Sequence, residues 1–353
     1  MGKRVLLGMS GGVDSSVSAV ILKEQGYEVI GATMKLHNCI DENNNEINSY
    51  IDDAKKVCEQ LNIEHHVIDL KEEFNKYVIQ NFIESYKNAT TPNPCVQCNK
   101  YLKFGEFYKK AIELNCDYIA TGHYVKVEYS EKYEQYVLKM ADERNKDQSY
   151  FLYGISKEIL PKLIFPLKNI NNKNDARIIA KENMLQVAEK KESQEICFID
   201  NNDYGSFLEK NMDKLPKKGN IVLKTGEVVG KHRGLIYYTI GQRKGLGISY
   251  KYPLYVVDID SKNNQVIVGE EKDLYKNELS ADNVNFLLNI DKTNPIKVKA
   301  KVRFRAEPKE AILIIKDEYV EVEFEEPQRA ITPGQSVVFY VDDDIVLGGG
   351  TIR

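Results

Sequence analysis

Ser10-Gly11-Gly12-Val13-Asp14-Ser15 follows directly on the apolar run Val5-Leu6-Leu7 and opens a helical stretch from Ser15 to Gln25. This turn decides the fold. Two adjacent glycines let the backbone approach a ligand closely and turn several N–H groups inward. The helix N-terminus adds a field that favours an anion, and the hydroxyls of Ser10 and Ser15 add donors. Strand, glycine turn and helix in that order predict a phosphate or pyrophosphate cradle at the carboxyl edge of a parallel sheet. The spacing is neither the dinucleotide fingerprint nor the lysine-bearing nucleotide loop. Asp14 is out of place in a simple anion cradle and fits a ligand for Mg2+ bridging phosphates.

Outward from this turn the first half of the chain alternates. Glu28 to Leu36 predicts a strand. Ser49 to Leu61 has helical spacing, with Ile51, Ala54, Val57, Cys58 and Leu61 on one face. His66 to Leu70 is a third strand and Glu72 to Lys87 a long helix, ended by the Pro-rich loop Thr90 to Cys98. A further helix runs from about Lys100 to Leu114, and Tyr118 to Tyr124 is another strand. Alternating strands and helices predict an α/β domain with a parallel sheet covered on both faces. Beyond about residue 200 short strand-like segments dominate: Tyr255 to Asp258, Gln265 to Val268, Ile296 to Arg305, Ala311 to Ile315, Tyr319 to Phe324 and Ser336 to Val341. They predict a small central domain and then a β-barrel or sandwich. The expected divisions are 1–205, 206–274 and 275–353.

The chain has 353 residues, 42% of them hydrophobic, enough for two or three cores. No run of 18 apolar residues occurs, so no membrane span is expected, and the opening Met1 to Gly12 is too soon broken by glycines for a signal peptide. The net charge of −4 excludes a protein that coats nucleic acid by bulk charge, but not one with a local basic patch. Six cysteines in a chain this long predict a reducing, cytoplasmic setting rather than a disulfide scaffold. Cys39, Cys58 and Cys116 fit buried thiols. Cys95 and Cys98 sit in the rigid stretch Pro92-Asn93-Pro94-Cys95-Val96-Gln97-Cys98-Asn99-Lys100, where Cys98 near a helix N-terminus is expected to favour thiolate. Cys197 lies far along, in Ser193-Gln194-Glu195-Ile196-Cys197-Phe198-Ile199. Two such thiols can exchange sulfur or form a transient disulfide; three can hold zinc or an iron–sulfur cluster.

Gly8 to Ala19, Thr91 to Phe104, Ala120 to Tyr124, Lys146 to Leu152, Ser193 to Ile199, Tyr238 to Ile248 and Thr332 to Tyr340, in this order, closely resemble the bacterial tRNA-specific 2-thiouridylase family. The glycine turn by itself resembles the pyrophosphatase-type PP-loop of the wider ATP pyrophosphatase superfamily. The resemblance implies a Rossmann-like PP-loop domain (adenine nucleotide α-hydrolase-like), a small tRNA-binding domain and a C-terminal β-barrel. It implies that ATP adenylates the 2-oxygen of the wobble uridine and that a persulfide then delivers sulfur as AMP leaves. By matched motif, Gly8, Met9, Ser10, Gly11, Gly12, Val13, Asp14 and Ser15 would bind ATP, with Met34 and Gly122 completing the pocket. Cys98 would be the nucleophile and Cys197 the persulfide carrier, joined in a disulfide as sulfur is delivered. Asn93, Pro94 and Cys95 would surround the target base. His123, Lys146, Asp147, Gln148, Arg303, Phe304 and Gln335 would touch tRNA. A cysteine desulfurase or sulfur-relay protein would be the donor.

Some family members carry Asp where this chain has Cys95, a carboxylate credited with proton handling that this chain lacks there. Cys95, Cys98 and Cys197 also equal the ligand count of a cluster with one open iron site, so the persulfide route and a cluster route both stand, the persulfide route favoured. Another adenylating chemistry, amide formation, would need no thiol pair, and a non-catalytic RNA-binding protein with a structural metal is a third reading.

For an acidic protein to hold tRNA, charge must be local. Lys214, Lys217, Lys218, Lys224, Lys231, Arg233, Arg243 and Lys244 face a single acid, Glu227, a local +7, with Tyr237 and Tyr238 interleaved as for nucleic-acid contact. In Ile296 to Arg305, Lys297, Lys299, Lys301, Arg303 and Arg305 alternate with apolar residues, which predicts five cations on one strand face. Glu321, Glu323 and Glu325 on a nearby strand are the expected neutralisers.

Overall fold

The computed structural model describes residues 2–40, 46–47, 49–170, 173–190, 196–199, 203–212 and 216–353. Lys214, Ser193, Gln194, Glu195 and the side chain of Cys39, all used in the sequence reading, lie outside the described residues.

Five parallel strands form the first sheet, in the order Glu64–Asp69, Glu28–Lys35, Arg4–Gly8, Tyr118–Ala120, Leu163–Ile164. The order turns back at Arg4–Gly8, so the glycine turn sits at the switch point, where such sheets bind ligands. Val5, Leu6 and Leu7 are all fully buried, as a parallel strand covered on both faces requires. Leu6 packs on one side with its strand neighbour Ile30 and with Phe74, Leu102 and Phe107 from the helices that cover that face. Val5 and Leu7 pack on the other with Val17 and Val20 of the helix Val13–Glu24 and with Ala54, Val57 and Cys58 of the helix Ser49–Gln60.

The strand expected over 118–124 is cut short. It leaves the sheet after Ala120, and the chain re-enters a strand only at Val125, in the hairpin Val125–Ser130 with Gln135–Met140. Thr121 to Tyr124 is thereby freed to cross the end of the glycine turn. The helix expected from about Lys100 begins earlier, at Pro94, whose ring suits the first helical position. It runs to Glu113, and its middle, Cys98–Glu106, is wound as a π-helix.

Gly219–Leu223, Val228–His232, Tyr255–Asp260 and Gln265–Gly269 form the central sheet. The last six strands close into a barrel, because Tyr275–Phe286 pairs on one side with Val320–Arg329 and on the other with Ile345–Ile352. The hairpin of the first domain joins its edge through Ile345 and Lys139.

The five-cation face does not form as expected. The strand ends at Lys301, and the chain bends before Arg303 and Arg305. Lys301 is buried. Lys299 pairs with Asp343 and with Glu310, its direct cross-strand neighbour. The neutralising acids are therefore not Glu321, Glu323 and Glu325, which lie beyond the intervening strand Lys309–Ile315. Tyr237 and Tyr238 are likewise buried in the central-domain core rather than interleaved at the surface. Lys217, Lys218, Lys231, Arg233, Arg243 and Lys244 remain exposed, while Lys224 pairs with Asp273 at 2.8 Å.

Candidate active site

The turn after the first strand is shaped by its glycines. Gly11 has φ +69°, and a Cβ there would lie 2.4 Å from the Tyr50 carbonyl. Gly12 caps the helix in an extended conformation without any side-chain hydrogen bond to the first turn, which leaves helix-terminal N–H groups for a ligand. The hydroxyls of Ser10 and Ser15 face each other at 3.0 Å, and Ser15 Oγ accepts from the Ser10 N–H at 3.1 Å. From behind, Lys190 Nζ donates to the Gly11 carbonyl at 2.9 Å and pairs with Asp53 at 2.7 Å. No pattern in the sequence tied Lys190 to a turn 179 residues away.

Met34 and Gly122 join the turn from neighbouring strand ends. A Cβ on Gly8 would lie 3.8 Å from Met34 Cε, and one on Gly122 would lie 3.1–3.2 Å from Asp14 and the Ser15 N–H nitrogen. Only glycine lets the Thr121–Tyr124 segment press so closely on the turn. Tyr124 then donates its hydroxyl to Asp14 Oδ1 at 2.6 Å, a role the sequence reading missed although Tyr124 ends the motif. Gln148 frames Tyr124 from both sides, accepting from its N–H at 3.0 Å and donating its own N–H to the Tyr124 carbonyl at 3.1 Å. Lys146 lies over the Tyr124 ring at 4.2 Å. Asp147 is closed off. It is 1% exposed, and its carboxylate accepts from the N–H groups of Ala141 and Ser149 and from the Ser149 hydroxyl. Its expected contact with tRNA gives way to a holding role for the loop that carries Lys146 and Gln148.

His123 bonds Thr121 through Nδ1 at 2.7 Å and lies against Phe104 and Phe165. Burial, helped by the Lys103 charge, holds its pKa well below the usual histidine range, so the ring is neutral.

Cys95, Cys98 and Cys197 are all free. Cys98 is buried, and Cys95 and Cys197 keep surface open to solvent. The thiol of Cys197 is influenced by both Cys98 and Cys95, so two segments a hundred residues apart are brought into one neighbourhood. Phe198 anchors the second segment, edge-on to Phe74 at 5.6 Å and Phe82 at 5.4 Å. The expected thiolate at Cys98 is not the resting form: burial raises its pKa and outweighs the helix field, with Lys103 the charge that opposes it. The protein crowded around the Cys197 sulfur pushes that thiol up to about 12. Among the described residues no three Cys, His, Asp or Glu side chains gather to hold a metal ion.

The barrel supplies the remaining residues. Arg303 Nη2 donates to the Ala330 carbonyl at 2.7 Å and to Thr332 Oγ1 at 3.0 Å. Phe304 lies on Phe151 with ring centres 4.5 Å apart. Gln335 bonds the backbone of the Pro-rich loop. Asn93 caps the helix that Pro94 begins, with no side-chain cap bond of its own.

A parallel α/β domain whose first strand ends in an uncapped glycine turn, with free thiols from two distant segments brought together in the same domain, defines a nucleotide-binding enzyme domain that carries cysteine chemistry. Family profiles match in three consecutive blocks: the tRNA methyl transferase HUP domain over residues 3–201, the tRNA methyl transferase PRC-barrel domain over 205–270, and the aminomethyltransferase beta-barrel domain over 276–352. The chain is 48% identical over 359 residues to the tRNA-specific 2-thiouridylase MnmA of Acetivibrio thermocellus, covering 99% of each. It is 48% identical over 358 residues to that of Clostridium kluyveri, covering 100% of this chain and 99% of the relative. It is 49% identical over 357 residues to MnmA 1 of Caldanaerobacter subterraneus subsp. tengcongensis, covering 99% and 98%. The chain belongs to the tRNA-specific 2-thiouridylase family.

Proposed function

We propose that this protein is an ATP-dependent tRNA uridine 2-sulfurtransferase acting on the wobble position. The observation that carries this reading is the meeting of the free thiols of Cys98 and Cys197 in one neighbourhood; Lys103, on the Cys98 helix, acts on His123, which follows the Gly122 that presses on the glycine turn.

ATP lies along Gly8 to Ser15, its phosphates on the uncapped helix N-terminus, with Met34 and Gly122 closing the pocket. Asp14, held by Tyr124, would hold Mg2+, which neutralises phosphate charge when bound. The wobble uridine leaves its stack to sit by Asn93, Pro94 and Cys95. Its 2-oxygen attacks the α-phosphorus and pyrophosphate leaves, which turns a poor leaving group into AMP. The terminal sulfur of a Cys197 persulfide, as its anion, attacks the 2-carbon, and AMP departs with the C–O electron pair. Cys98 thiolate then attacks Cys197 Sγ. The S–S bond to the transferred sulfur breaks, its electrons form the thiocarbonyl, and a Cys98–Cys197 disulfide remains for an external thiol reductant to reopen. A cysteine desulfurase or relay protein recharges Cys197. His123, Lys146 and Gln148 around the pocket, Arg303, Phe304 and Gln335 at the barrel, and the exposed cations of 206–274 carry the tRNA, a division of labour that follows the units 1–205, 206–274 and 275–353.

The test is to incubate the protein with ATP, Mg2+, a cysteine desulfurase with cysteine, and unmodified tRNA, then to measure 2-thiouridine by nucleoside mass spectrometry. Formation that is lost in both Cys98→Ala and Cys197→Ala is expected. Product from Cys197→Ala at the unsubstituted rate would instead favour an adenylating chemistry without a thiol relay.

A further inference from the structure

Lys103 stands five residues after Cys98 in the π-wound stretch Cys98–Glu106. In an α-helix five residues would turn the two side chains about 140° apart. The i→i+5 bonding of a π-helix, seen where the Phe107 N–H donates to the Leu102 carbonyl, returns Lys103 to the side of Cys98. The winding therefore has a consequence for chemistry: it brings the Lys103 charge within reach of the Cys98 thiol. Lys103 is half-buried, and among the described residues no carboxylate pairs with it. Its charge is felt at four groups from three separate segments: Cys95 and Cys98 on its own helix, Cys197, and His123. Apart from the thiols themselves, it is the charge that acts on both Cys95 and Cys98, and among the described residues no carboxylate figures beside it there.

We propose that Lys103 is the electrostatic partner of sulfur transfer: its ammonium balances the negative sulfur as Cys98 becomes thiolate and as the persulfide sulfur of Cys197 becomes an anion. This rests on the thiol-pair reading above. Burial disfavours every charged sulfur in this neighbourhood, so an unpaired cation is what the site needs, and a neutral His123 leaves Lys103 to supply it.

The experiment measures iodoacetamide alkylation of Cys98 and Cys197 in the full-length protein by peptide mass spectrometry, between about pH 6 and pH 10. Wild type, Lys103→Gln and Lys103→Arg are compared, without tRNA or ATP. Loss of a nearby opposite charge shifts a pKa by about one unit or more. Lys103→Gln is therefore expected to slow alkylation about tenfold at each pH in this range, displacing the rate-against-pH curve about one unit to higher pH, with Lys103→Arg restoring it. An undisplaced rate-against-pH curve in Lys103→Gln overturns the proposal. So does equal loss of thiolation in both variants without a pH shift, because that marks a merely structural lysine. Failure of the underlying reading is separate: thiolation by Cys98→Ala and Cys197→Ala at the wild-type rate would sink it whatever the alkylation profiles show.

Discussion

Gln335 fastens Pro92 to the barrel: its Nε2 donates to the Pro92 carbonyl at 3.0 Å and to that of Thr91 at 3.1 Å. The Thr91 N–H returns a bond to the Pro333 carbonyl at 2.9 Å, and a Cβ on Gly334 would lie 2.8 Å from the Thr91 backbone. The loop that leads into Cys95 and Cys98 is thus held by a turn 240 residues later, on a different sheet. Gln335→Leu leaves two loop carbonyls short of a donor, which costs about 1 kcal/mol. The expected result is a slower single-turnover thiolation with ATP affinity unchanged. Urea unfolding and rapid-quench nucleoside analysis check both halves.

Gly122 is the contact between the Thr121–Tyr124 segment and the glycine turn. Gly122→Val places branched carbon 3.1–3.2 Å or less from Asp14 and Ser15, and backbone there cannot give way as a flexible side chain would. ATP binding is expected to weaken about tenfold or more, about 1.4 kcal/mol, while alkylation of the thiols is unaffected. Isothermal titration with a non-hydrolysable ATP analogue reads the first, peptide mass spectrometry the second.

Lys190 works from behind the same turn, and its side chain is 39% exposed, so its pairing with Asp53 by itself adds little stability. Its bond to the Gly11 carbonyl fixes a residue at φ +69°. Lys190→Ala is expected to raise the KM for ATP several-fold with the melting temperature nearly unchanged. A steady-state pyrophosphate-release assay decides it; an unchanged KM means the turn holds its shape without Lys190.

The first half of the fold was legible because each element carried its own signal. Val5 to Leu7 had to be a buried strand, and Gly11 and Gly12 had to be a turn with close backbone approach. The strand at 118 was read too long: Thr121 and Tyr124 are β-formers, but Gly122 between them is not, and the contact of Gly122 with Asp14, set by tertiary packing, shows why the chain leaves the sheet there. The cation stripe failed for a related reason. Period two was right through Lys301, but which strand would lie beside it was not in the local pattern, and Glu310 took the place expected of Glu321 and its neighbours. At Cys98 the helix position argued for thiolate and burial argued against it, and sequence carries the first signal far more visibly than the second. Lys190 acts across 179 residues and left no motif, while Tyr124 stands inside one whose pattern does not show its bond to Asp14, 110 residues away.

The pH dependence of stability follows from two buried groups whose shifts have opposite chemistry. Cys58 is fully buried beside Gly31, and burial pushes its thiol up to about 12. In the unfolded chain a thiol titrates near about 8.5, so above that pH the unfolded state releases a proton that the folded state keeps. The unfolded state then binds fewer protons, and stability falls as pH rises from about 8.5 towards about 12. His123 works at the other end. Its folded pKa is held well below 6.5, so on acidification through about 6.5 the unfolded chain gains a proton before the folded one does, and stability falls as pH drops. Urea unfolding across pH is therefore expected to show a plateau between about 6.5 and about 8.5 with losses on both sides. Cys58→Ala should lessen the alkaline loss, the raised Cys98 and Cys197 thiols keeping the rest of it, and His123→Gln should lessen the acidic one, to which the lowered His65 also contributes. A profile in Cys58→Ala that still falls as steeply above pH 8.5 would assign the alkaline limb to other groups.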